Sequence, residues 1–129
     1  MKVAEQWLTA SRTVTHNDPR PTTWIERALP LSSGPMAREL RDARDGSAGA
    51  DWATFVKRHC RTSVEQLHGL IPDEAPAGGR TVYVQLSGEV VTYCAKTTAV
   101  QDPPREPVAA TVEVLQAEDG TWRVNRRLY

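Results

Sequence analysis

Over the last fifty residues the chain alternates apolar and polar side chains in three segments, and a period of two is what a half-buried strand imposes. Val82, Val84, Leu86, Val90 and Cys94 share one side of the first segment, while Tyr83, Gln85, Ser87, Glu89, Val91 and Tyr93 share the other. Gly88 interrupts this segment and predicts a bulge or a bend. Residues 101 to 107 carry Pro103, Pro104 and Pro107 and are expected to form a loop. Val108, Ala110, Val112 and Val114 then make a second apolar face, with Glu113 opposite. Asp119-Gly120 is a hairpin signal. The final run Thr121-Trp122-Arg123-Val124 opens a strand with Trp122, Val124, Arg126 and Leu128 on one side and Thr121, Arg123, Asn125, Arg127 and Tyr129 on the other.

Before residue 60 the apolar spacing is mainly helical. Val3, Trp7, Ala10 and Val14 recur about one turn apart and predict a helix over residues 2 to 15, stopped by Asn17-Asp18-Pro19. Thr23 to Glu26 has the spacing of a capping box and predicts a short helix that ends near Pro30, with Trp24, Ala28 and Ile25 turned inward. Pro35 suits the first turn of a third helix carrying Met36, Leu40 and Ala43, closed by Gly46. Residues 45 to 50 are expected to be a flexible loop. Trp52, Phe55, Val56 and Cys60 fit either a helical turn or a bent entry into a strand. Residues 61 to 71 lean toward a strand that ends at Ile71-Pro72, and Asp73 to Gly79 toward a turn. Helices followed by a strand meander give an α+β plan: N-terminal helices packed on a strongly curved antiparallel sheet of about four strands.

The 129 residues suit one domain spanning the chain, and such a chain buries roughly two-thirds of its unfolded surface without staples. Lys+Arg and Asp+Glu both number 16, so the net charge is zero. That balance argues against a dedicated nucleic-acid binder, which needs a basic excess to displace counterions. Trp122, Arg123, Arg126 and Arg127 suggest stacking and phosphate contacts on single-stranded DNA, but zero net charge weighs against that reading. No apolar run approaches a membrane span. Met1-Lys2 leads straight into a helical pattern, so the expectation is a parent chain that continues upstream.

No residue stands out as catalytic, and no metal or cofactor site is expected, because His59 and Cys60 are adjacent and no second ligand pair has zinc spacing. Cys60 and Cys94 fit one disulfide or two buried thiols. His16 with Asp18 has the composition of an acid–base pair, although His-Asn-Asp-Pro reads more simply as a polar helix end. Alternation puts Arg126 with Trp122 and Val124, so it either faces an acidic ligand or carboxylate inside the fold or snorkels to water near the chain end. Arg126 and His16 are therefore the candidate pocket residues. Tyr83, Val91, Tyr93, Leu115 and Tyr129 fall on the sheet face away from the helices and form a candidate self-association face.

The amphipathic start around Trp7, the element order and the terminal Asp119-Gly120-Thr121-Trp122-Arg123-Val124 strand resemble the nuclear transport factor 2-like (cystatin-like) superfamily, whose curved sheet wraps a helix into a cone. A narrower likeness, carried by Arg58-His59-Cys60 and Ile71-Pro72-Asp73-Glu74-Ala75-Pro76, is to actinobacterial extracytoplasmic domains of the TcpC and VirB kind and to Mce-associated proteins. The resemblance implies a non-catalytic assembly domain of a membrane-anchored conjugation, type IV secretion or transport apparatus. Its partners would be protein subunits, including copies of itself, and its membrane attachment would come through a segment absent from this chain. It favours a Cys60–Cys94 disulfide in an oxidising compartment, and self-association through the outer sheet face. The alternative within the same fold is a small-molecule binder or an isomerase, dehydratase or cyclase, which needs an open, polar cone.

Overall fold

The computed structural model describes residues 1–44, 50–72, 79–95 and 103–129. Helices α1 (Lys2–Arg12), α2 (Trp24–Ala28), a 3-10 turn (Leu29–Leu31), α3 (Gly34–Ala43) and α4 (Ala50–Lys57) precede strands β1 (Cys60–Leu70), β2 (Thr81–Cys94), β3 (Arg105–Gln116) and β4 (Trp122–Arg127). The α+β plan is therefore present. The sheet is an open antiparallel meander in the order β1-β2-β3-β4.

Helix α1 buries Ala4, Trp7 and Leu8, a stripe at i, i+3 and i+4. Val3 and Ala10 pack at the margin of that stripe. The helix stops at Arg12 rather than at residue 15, because the next residues are used elsewhere. The Thr62 amide donates to the Val14 carbonyl at 2.8 Å and the His16 amide to the Cys60 carbonyl at 2.9 Å, so the chain after α1 covers the start of the β1 edge. Thr23 does not cap α2; its hydroxyl accepts from the Arg20 amide at 3.1 Å, while Ile25 and Ala28 fill the core. In α3 Met36, Ala37 and Leu40 are buried and Ala43 is exposed. The expected Gly46 stop lies outside the described residues, as do residues 73–78 of the expected turn. Between the two readings of Trp52 to Cys60, the helix holds to Lys57 and the chain reverses at His59, whose φ is 52°. Trp52 is half-buried, stacked on Phe55 with ring centroids 5.5 Å apart, and lies outside the core cluster.

The core forms where Ala4, Trp7, Leu8, Ile25, Ala28, Met36 and Leu40 meet Val84, Leu86, Ala110, Val112, Val114 and Val124, with Trp122 at its margin. Each fully buried Leu, Ile or Val stabilises the fold by about 1.5–3 kcal/mol. The inward phase expected for Val82 to Leu86 and for Ala110 to Val114 is the observed one.

Three local departures shape the sheet. First, Glu65 pairs with Glu89 but His68 pairs with Ser87, so Gln66 and Leu67 both face Gly88. A Cβ on Gly88 would sit 3.2 Å from the Glu65 carbonyl oxygen and the Leu67 Cα, so the bulge packs tightly against glycine there and a larger residue would have to push the β1 backbone back by a few tenths of an ångström. Second, β3 begins at Arg105, inside the expected loop. Pro107 is tolerated because β4 pairs only with Val112 to Gln116, which leaves β3 without a ladder partner on that side at Pro107. Third, Glu113 pairs with Arg126 while Val114 pairs with Val124, so Asn125 is an extra residue in β4.

Cys60 and Cys94 stand directly opposite each other on β1 and β2 and form a disulfide across 34 residues. Closing a loop of that length stabilises the fold by about 3–4 kcal/mol, less any strain.

Candidate interaction face

Helices α1 to α3 supply the core contacts on one side of the sheet, so the alternate residues of each strand form an outer face. On β2 these are Tyr83, Gln85, Ser87, Glu89, Val91 and Tyr93, opposite Glu113, Thr111, Ala109, Pro107 and Arg105 of β3. His68, Glu65, Ser63 and Arg61 of β1 complete it.

Two polar clusters hold the ends of this face. Near the disulfide, the Tyr93 hydroxyl donates to Glu65 Oε2 at 2.5 Å. Arg105 bridges Glu89 at 3.1 Å and Glu65 at 3.6 Å. The Arg61 guanidinium lies over the Tyr93 ring, 4.5 Å from its centroid. The Glu65 carboxylate, by taking its hydrogen bond, holds the Tyr93 hydroxyl above the usual tyrosine range, and Glu89 likewise strengthens the hold of Arg105 on its proton. Val91, opposite Ser63 and Arg105, is fully buried.

At the other end Glu113 accepts hydrogen bonds from the Tyr83 hydroxyl at 3.3 Å and Asn125 Nδ2 at 2.9 Å, and forms an ion pair with Arg126 Nε at 3.2 Å. Asn125 Oδ1 in turn accepts from the Ser33 hydroxyl at 3.3 Å, which ties the start of α3 to the sheet. Gly34 has φ +49°, and a Cβ there would clash with Asn125 Oδ1, so glycine suits both the backbone conformation and the close approach.

Between the clusters lies a trough of about 480 Å³, lined by Gln85, Ser87, Ala109 and Thr111 and flanked by His68, Leu70 and Tyr129. Small outer-face residues create it, since cross-strand partners Ser87 and Ala109 leave space that a larger pair would fill. Tyr129 is 80% exposed yet fixed by its backbone, because the Thr111 amide donates to the Tyr129 carbonyl at 2.8 Å. Leu70 and Ile71 are 62% and 49% exposed.

Of the residues expected on this face, Tyr129 is exposed, Tyr83, Tyr93 and Leu115 are half-buried, and Val91 is covered. Alternation places Glu89 on this face, whereas Glu65 and Arg105 join it only through cross-strand register. Arg126 does not face the core. The extra residue Asn125 turns it outward to Glu113, where it is half-exposed. His16 stacks on His59 instead, with ring centroids 4.9 Å apart. Asp18 accepts from Arg27 at 3.1 Å and from the Thr15 amide at 3.1 Å. Burial pushes the Asp18 carboxyl up, but those hydrogen bonds outweigh it and hold the group below its usual range. Eleven β2 residues separate the level of Arg126 from that of His16, roughly 35 Å, so the two do not share a pocket.

Among the described residues no three His, Cys, Asp or Glu side chains group to hold a metal ion, and no helix is long and apolar enough to cross a membrane. No model of a known protein family matches the chain, and no curated protein does.

Proposed function

We propose that this chain is a non-catalytic assembly module that meets protein subunits through the outer face of its sheet, with a second copy of itself as the first partner. One observation carries the reading. The helices fill one side of the sheet with apolar side chains, while the other side is open, with a trough at its centre and Leu70, Ile71 and Tyr129 exposed beside it. The sheet edges are poor alternatives. Val14 to His16 covers the start of β1 and a bulge follows at Gln66, while Ser33 donates to Val124 along β4. Strands of 11, 14, 12 and 6 residues spaced about 4.8 Å apart present roughly 700 Å², of the order of the ~800 Å² that each partner gives to a standard interface. The face also carries both charge signs, so two identical copies can meet on it in an isologous contact that pairs opposite charges.

The cone of the nuclear transport factor 2-like fold and the setting in an extracytoplasmic, membrane-anchored conjugation, secretion or transport apparatus are part of the same proposal. The helices-then-meander order and the disulfide support them, since disulfides persist in oxidising compartments. The alternative of an enzyme of that fold is weakened by the filling between α1, α2 and the middle of β2, where Trp7, Leu8, Ile25 and Leu86 are each at most 4% exposed.

Sedimentation equilibrium tests the proposal. The wild-type chain should show concentration-dependent dimers, and Ala109→Arg should leave a folded monomer. A wild-type monomer at all concentrations, or a dimer indifferent to Ala109→Arg, would overturn it.

A further inference from the structure

The helix side of the sheet is not covered along its whole length. Strand β2 has 14 residues and spans about 46 Å, whereas α1 has 11 and spans about 16 Å. The sheet therefore overhangs the end of α1. Val90, Val108 and Glu106 keep the inward phase of Leu86 and Ala110, yet the two valines are only half-buried and Glu106 is exposed. Beyond Arg12 the chain turns away to pair with β1, and Trp24 of α2 borders the space left. What remains is a cleft of about 360 Å³ walled by Val14, Trp24, Val90 and Val108, with Arg12 and Glu106 also lining it.

The charges are the informative part. Among the described residues, the Arg12 guanidinium and the Glu106 carboxylate engage no hydrogen bond or ion pair, with each other or with anything else. An anionic ligand would gain from Arg12 and lose to Glu106; a cationic one would do the reverse. Only a molecule carrying both signs gains from both. Four apolar walls ask for an apolar body between the charged ends, and the volume lies in the lower part of the range of small-molecule sites, about 300–1,000 Å³.

We infer that this cleft binds a small zwitterion with an apolar body, of the apolar amino-acid or short-peptide class, its carboxylate at Arg12 and its ammonium at Glu106. The site lies on the helix side of the sheet and does not depend on the outer-face interface.

The test titrates the full chain with leucyl-leucine, N-acetyl-leucyl-leucine (no cation) and leucyl-leucinamide (no anion), read by valine methyl NMR. Leucyl-leucine should shift the methyl signals of Val14, Val90 and Val108. Blocking either end should weaken binding by about fivefold or more. In Glu106→Gln the free and acetylated peptides should bind alike; in Arg12→Gln the free peptide and the amide should. Both side chains are exposed, so both variants should fold. Three outcomes would each overturn the assignment: no shift at those methyls up to about 10 mM, equal binding of the three probes to wild type, or discrimination that survives in the matching variant. None of them bears on the dimer, which Ala109→Arg tests separately.

Discussion

The two sides of the sheet are built from the same strands, one residue out of step, and they are stabilised differently. Toward the helices, Val84, Leu86, Val112, Val114 and Val124 meet Trp7, Leu8 and Ile25 in a dry core. Away from them, Tyr83, Glu113, Asn125 and Arg126 at one end and Tyr93, Glu65, Arg105 and Glu89 at the other hold one another by hydrogen bonds and ion pairs. Apolar burial supplies most of the stability per residue on the first side. Partly exposed polar contacts supply much less on the second, because water competes for every partner. Apart from the buried Val91, the outer side can therefore be altered for recognition without unfolding the chain, whereas the inner side cannot.

The sharpest way to break this contrast is to truncate one residue on each side. Trp7→Ala should cost about 3–5 kcal/mol in urea unfolding, and Thr111→Ala in the trough should stay within about 0.5 kcal/mol. Similar losses at both positions would mean that the outer face is a second core. Next in size is the covalent tie between β1 and β2. Replacing Cys60 and Cys94 together by Ser should cost up to about 3–4 kcal/mol, and reductant should lower the thermal midpoint of the wild type but not of the double variant. The smallest effects belong to the polar clusters. Glu113→Gln should cost about 1–2 kcal/mol, because it weakens the acceptor shared by Tyr83 and Asn125 and removes the charge paired with Arg126. Arg126→Ala, which removes one half-exposed ion-pair partner, should cost under about 1 kcal/mol. A larger loss for Arg126 than for Glu113 would place the arginine, not the carboxylate, at the centre of that cluster.

Much of this division is legible in the chain itself. Alternation assigns both faces of β2 and the core face of β3, because regular strands leave a period of two. It fails where an extra residue enters. Asn125 reverses the phase of β4 after Val124, and nothing local to Trp122–Leu128 marks it. The reason lies 92 residues away, where Ser33 meets Asn125 beside Gly34. The start of β3 is hidden for a different reason. Prolines read as loop, yet an edge position tolerates Pro107. Val91 falls on the outer face as the alternation has it, but Arg105 and Glu65 come from strands whose register no single segment reveals. The Tyr93–Glu65 contact joins residues 28 apart. The trough is legible only in part: Ser87 and Ala109 are small in any reading, but their apposition is a fact of pairing.

The most direct test of the outer face as the working surface is a dilution series of the wild-type chain followed by side-chain methyl NMR. As concentration rises, the signals of Ala109, Thr111 and Leu70 should move together while those of Val84, Val112 and Leu8 stay fixed. Movement confined to the core or to the helices, or no movement at any concentration, would contradict the account.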